Sequence, residues 1–210
     1  VIRSSSVRRT LPALGVLLGA LALSACGGQP PRPGAAALIG SDRITVAQVE
    51  ARVAEFRDQA AKLPSGQYQE QAGLVGATVY GMVFDQVVAR ALADRQLSVS
   101  DTEVAQLRQQ EVAALAGEAA LEQNLLLRNG VPAQEIDGYL REQIGLQKLA
   151  KVSGQQLGTT DGNQAVHQLL TIASEELRVT VNPRYGSWDP AQAVLDNPSE
   201  PWLPQSGAAA

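Results

Sequence analysis

Ala91-Leu92-Ala93-Asp94-Arg95-Gln96-Leu97-Ser98-Val99-Ser100-Asp101-Thr102-Glu103-Val104 closes one long helix and opens the next. Upstream, Leu74, Val75, Val79, Met82, Val83, Val87, Val88 and Leu92 cover a wide arc of a helix that should run from about Gln71 to Gln96. A helix apolar over so much of its surface belongs at the centre of a fold, touched from several sides. Ser100 and Glu103 fit the S/T-x-x-E/Q capping box, in which each side chain satisfies an otherwise orphaned backbone N–H. The helix that this box opens carries Val104, Leu107 and Leu115.

Downstream, the helical pattern continues. Leu121, Leu125, Leu126 and Leu127 make a short helix stopped at Asn129-Gly130, where Gly130 suits the left-handed position past a helix end. Pro132, Glu135 and Asp137 begin another, with Ile136, Leu140, Ile144 and Leu149 on its apolar face. Ser153 to Asn163 is polar and glycine-rich and reads as a loop, followed by an amphipathic helix from about Ala165 to Leu177. Arg178-Val179-Thr180-Val181-Asn182 alternates with a strand period that Pro183 ends. Residues 187–210 contain Pro190, Pro198, Pro201 and Pro204 with little apolar periodicity, and a disordered tail is expected there.

Upstream of the long helix, Thr45 and Gln48 form a second capping box. Val46, Val49, Val53 and Phe56 follow at helical spacing, and Pro64-Ser65-Gly66 ends the run. Ala35 to Ile39 reads as a short strand leading into the turn residues Gly40-Ser41-Asp42. Val179 and Val181 share one strand face, and the Ala35–Ile39 segment needs a ladder partner. Leu38 and Ile39 are therefore expected beside Val179 and Val181, closing the two ends over the helices.

Residues 1–25 carry Arg3, Arg8 and Arg9, an apolar run from Leu11 to Leu23, and small residues before Cys26, the only cysteine. That order matches a secretory signal peptide. With Leu23-Ser24-Ala25-Cys26 at its end, it resembles a bacterial lipobox, which implies cleavage before Cys26 and diacylation of its thiol. Residues 26–34, rich in Pro and Gly, then read as a tether. Residues 1–25 hold three of the seventeen basic residues and no acids, so fourteen bases face twenty-one acids in the remainder, a charge of about −7. So scattered and acidic a balance gives no electrostatic footprint for nucleic acid.

Three passages carry a resemblance. They are Ile44-Thr45-Val46-Ala47-Gln48-Val49, the opening stretch quoted above, and Val179-Thr180-Val181-Asn182-Pro183-Arg184-Tyr185-Gly186-Ser187-Trp188-Asp189. In this order they resemble the chaperone domain of SurA-type and PrsA-type exported foldases, a domain related to the peptide-binding domain of trigger factor. The last passage looks like the closing V-N-P-R-Y-G segment of actinobacterial members. The resemblance covers Leu38 to Asp189 and implies a mainly α fold, residues 35–186, with N- and C-terminal strands paired in a small sheet. Many relatives carry a parvulin prolyl isomerase domain before the last helix. Here that position is Ser153 to Asn163, too short for a folded domain of about 50 residues or more, so no isomerase activity is expected.

The resemblance implies a lipid-anchored holdase at the outer face of the bacterial cytoplasmic membrane, held by diacylglyceryl-Cys26. It would bind unfolded or nascent secreted polypeptides. The alternative is an adaptor lipoprotein with one dedicated envelope partner. Phe56, Tyr80, Met82, Phe84 and Tyr139 are the candidate peptide-binding residues, because a client needs an exposed apolar groove and a flexible methionine adapts to varied partners. Tyr185 and Trp188 are expected to pack the edge of the fold rather than to touch a client. His167, the only histidine, reads as a helix-surface residue, and Gly73 and Gly76 as points of close helix packing. No catalytic motif, metal-ligand spacing or cofactor is called for.

Overall fold

The structure, a computed structural model, describes residues 33–64, 66–70 and 72–198. The expected signal segment, Cys26 and all of the tether up to residue 32 lie outside the described residues, as do residues 199–210. The described fold is mainly α. It begins with strands β1 (Ala35–Ile39) and β2 (Asp42–Thr45) and helices α1 (Val46–Ala60), α2 (Leu74–Ala93), α3 (Asp101–Ala114) and α4 (Glu118–Asn129). A 3-10 turn (Ala133–Glu135) leads into α5 (Ile136–Val152), followed by α6 (Thr160–Leu177) and strands β3 (Thr180–Val181), β4 (Ser187–Asp189) and β5 (Val194–Asp196).

α2 lies where its apolar arc requires. Val79, Val83, Val87 and Ala91 are wholly buried, and α1, α5, α6 and β1 pack against the helix. Both expected capping boxes form: the Thr45 and Ser100 hydroxyls accept from the Gln48 and Glu103 backbone N–H groups, and both long side chains reach back. The Glu103 carboxylate also binds the Lys148 ammonium at 2.6 Å. Lys148 and the Ser100 donors together hold Glu103 down to about 2. Lys148 thereby ties the start of α3 to α5, and Val104, Leu121, Leu125, Ile136, Leu140 and Ile144 form a second core between α3, α4 and α5.

The small sheet closes the two ends of the domain. β1 is the middle strand in the order β2-β1-β3, antiparallel to both neighbours, with Ala37 opposite Val181 and Leu38 opposite Thr180. The expected pairing forms with its register displaced, so that Ala37 rather than Ile39 faces Val181. β2 had no sequence signal, since Asp42-Arg43-Ile44-Thr45 holds one apolar residue and cannot alternate. Its hairpin turns at Gly40, whose φ of 58° places it in the left-handed region.

Three expectations need correction. The first concerns 187–210: β4 and β5 pair through Ser187–Asp196, Trp188–Leu195 and Asp189–Val194, and Trp188 and Ala193 are buried. The domain therefore continues past residue 186 through Asp196. Each strand has three residues, too few to show a period, and the turn between them begins with Asp189, whose carboxylate accepts from the Ala191 N–H at 2.8 Å. The second concerns α6, which begins at Thr160 instead of Ala165. Thr159 caps it by accepting from the Gly162 N–H, and the polar first turn has no apolar periodicity to betray it.

The third concerns Gly73 and Gly76. Gly73 supplies a φ of 98° at the start of α2, and Gly76 faces only the Tyr185 carbonyl, so neither marks a helix crossing. The close approach is at Gly145 on α5, where a Cβ would stand 3.0 Å from Leu92 Cδ1 and 3.3 Å from Val88 Cγ1. Gly145→Val should therefore destabilise the fold by about 1–3 kcal/mol through overpacking against α2. Urea denaturation would show it as a lowered midpoint.

Candidate functional site

Between α1 and α2 on one side and the end of α4 with α5 on the other lies a groove of about 450 Å³, within the size range of ligand pockets. Four of the five candidate residues meet there: Phe56 from α1, Tyr80 and Phe84 from α2, and Tyr139 from α5. The spacing of Tyr80 and Phe84 on one turn of helix stacks their rings, with centroids 5.4 Å apart and planes at 26°. Phe56 is buried and meets Tyr68 edge-on at 5.3 Å, so it forms the floor of the groove and anchors a small core with Ala60 and Leu126. Tyr139 is half-buried, and its hydroxyl lies 3.2 Å from the Asn129 amide, which donates to it.

Met82 does not join them. It lines a neighbouring depression with Ile39, Ile44, Gln48 and Gln86 on the sheet side of α2, which shares Arg52 and Asp85 with the groove. Two residues from both Tyr80 and Phe84, it is turned about 200° round the helix from each, which is why helical spacing separates it from the groove.

The aromatic walls enclose charged groups that sequence reasoning missed. Arg52 on α1 donates through Nε and Nη2 to the two carboxylate oxygens of Glu135, and its Nη1 stands 3.8 Å from Asp85 on α2. Glu142 on α5 stands beside Asp85 in the lining of the groove. Burial first, and then that neighbouring carboxyl, push Glu142 up to about 8. Burial and the nearby Glu142 also raise both Tyr80 and Tyr139. Arg52 and Glu135 are 83 residues apart, so no local pattern could pair them. A usable signal lay in the local spacing, where Glu135 at the end of the 3-10 turn and Tyr139 and Glu142 on α5 recur at intervals of four and three.

Glu142 makes stability depend on pH. A carboxyl whose folded value is raised contributes most below its unfolded value of about 4.5, and that contribution is lost as pH rises to about 8. Glu142→Gln removes the loss. Its melting temperature should exceed that of the wild type by several degrees at pH 8.5 and match it at pH 4, as read by circular dichroism.

The remaining candidates have structural places. His167 is exposed on α6. Arg184 lies over the Tyr185 ring at 4.7 Å from its centroid, a cation–π contact. Tyr185 and Trp188 are buried, as edge-packing residues should be. Among the described residues no helix is long and apolar enough to cross a membrane. Comparison with family models, with curated proteins and with solved structures finds no match to this chain.

Proposed function

We propose that the protein is an extracytoplasmic holdase of SurA-like architecture, which buries apolar side chains of unfolded secreted polypeptides in the groove between α1, α2 and α5. The observation that carries this reading is the convergence of Phe56, Tyr80, Phe84 and Tyr139 on one open groove. They come from three helices, and Tyr80, Phe84 and Tyr139 are only partly buried. The order of elements supports the SurA-like part: a strand, a row of helices, a last helix and a strand returning to the first. In this reading Cys26 carries the diacyl anchor that holds the domain at the outer face of the bacterial cytoplasmic membrane, near emerging clients. Two chains suit stable attachment, since one gives only marginal binding. The protein acts without isomerase chemistry, a view supported by the direct passage from α5 to α6 through residues 153–159.

The test is light scattering from an aggregating unfolded client at near-stoichiometric protein. Suppression is expected for the wild type and for Met82→Ala. Phe84→Glu and Tyr139→Glu should lose most of it while keeping a cooperative melting transition. Suppression unaffected by either groove variant would overturn the assignment to this groove. A folded wild type without suppression would transfer the reading to an adaptor with one saturable partner.

A further inference from the structure

The groove is apolar in its walls but unbalanced in its charges. Among the described residues lining it, Arg52 is the one base, set against Asp85, Glu135 and Glu142. Arg52 is engaged by both carboxylate oxygens of Glu135 and reaches Asp85 only at 3.8 Å. Asp85 from α2 and Glu142 from α5 therefore line the groove with no cation but Arg52, which is already engaged by Glu135, beside the rings of Tyr80 and Tyr139.

We infer, building on the reading of this groove as a polypeptide site, that it takes client segments in which a lysine or arginine stands among aromatic or branched apolar residues, with the cation seated between Asp85 and Glu142. Charge complementarity selects this occupant. The methylene stem of a basic side chain lies along aromatic surface while its head reaches a carboxylate, and tyrosine faces attract the same cation. An acidic segment would add a like charge to a groove that already carries an excess of them. A wholly apolar segment would bring no new partner for either carboxyl and would only deepen their burial.

The empty groove meets its imbalance in another way. Glu142, raised to about 8 by burial and by the neighbouring Asp85, holds a proton at neutral pH. When a client cation enters, that proton leaves for solvent and the total charge of the groove is unchanged. The cation thus takes the place of a proton, and binding should tighten as pH rises toward about 8 and level off above it. The charged and titratable groups that line the groove with Glu142 are Asp85 and Tyr80 on α2, Arg52 on α1, Glu135 on the 3-10 turn and Tyr139 on its own helix. Both tyrosines are shifted upward, away from this range.

Isothermal titration of the full chain would use two short peptides, capped at both ends, of phenylalanine and leucine around a central lysine or a central norleucine. At pH 8 the lysine peptide should bind about tenfold more tightly, the scale of one charge-assisted contact. At pH 7 it should release close to one proton, read as a binding heat that differs between phosphate and Tris buffers, whereas norleucine should release none. Glu142→Gln should bind both peptides alike with no proton release. Equal affinity of the two peptides for the wild type, without proton release, would overturn the cation assignment and leave the polypeptide groove standing. Failure of both peptides to bind would overturn the two together.

Discussion

Trp188→Ala should lower the free energy of unfolding by about 3–5 kcal/mol, the usual cost of emptying a buried aromatic site. The indole is 8% exposed, lies 6.1 Å from the Tyr80 ring between centroids, and donates its Nε1–H to the Ser174 hydroxyl at 2.8 Å. Ser174 is wholly buried, so truncation of the indole also strands a hydroxyl inside the fold. Leaving such a group unsatisfied costs about 1–3 kcal/mol of itself. Part of the loss should be recoverable in Trp188→Phe combined with Ser174→Ala, which refills the volume and removes the stranded hydroxyl. Urea denaturation followed by circular dichroism measures all of these. A loss under about 1 kcal/mol would mean that the hairpin of β4 and β5 stands outside the cooperative unit, because burial in the shared core is what sets the larger figure.

The second large effect is expected one residue before that hairpin. Gly186 has a φ of 136°, and a Cβ there would overlap the Asp196 carbonyl oxygen and approach Leu195 Cδ1 to 3.1 Å. The obstacle on one side is backbone at the end of β5, which cannot rotate aside as a side-chain tip could. Gly186→Ala must therefore strain its own backbone and prise the end of β5 from the start of β4. Each contribution is of the order of 1–3 kcal/mol, so a loss of about 3 kcal/mol is expected in all. Gly138→Ala is the matching control, since it lies inside α5 with no neighbouring atom within 4 Å of the new Cβ. That substitution should stabilise the protein by about 0.5–1 kcal/mol through helix propensity alone. Thermal melts of the two variants should move in opposite directions.

What could be read in the sequence follows the range over which each signal acts. The capping boxes at Thr45 and Ser100, the stop at Gly130 and the wide apolar arc of α2 are local, and the structure has each of them. β2 and the strands β4 and β5 are too short to display a period, and the first turn of α6 is polar throughout, so those elements could not announce themselves. The site divides in the same way. Tyr80 and Phe84 share a helix face by spacing alone, while Met82, between them in sequence, belongs to another face. The meeting of Arg52 with Glu135, and of Asp85 with Glu142, depends on how three helices cross and leaves no trace in any short window.

The ladder between β1 and β3 has a consequence for the order of events when the chain emerges from a ribosome or a translocation pore. Ala37 finds Val181 only after every helix between them has appeared, and the Asn182 side-chain amide then reaches back 147 residues to the Ala35 carbonyl. Such a long loop must close before its contacts repay the entropy of closure. The helices α1 to α5, and with them the whole of the aromatic groove, can therefore collapse while the first hairpin still has one open edge. Sealing of that edge, like the docking of β4 and β5, waits until residues 180–196 have appeared. Until β3 arrives, one edge of β1 offers unpaired backbone N–H and C=O groups to its surroundings.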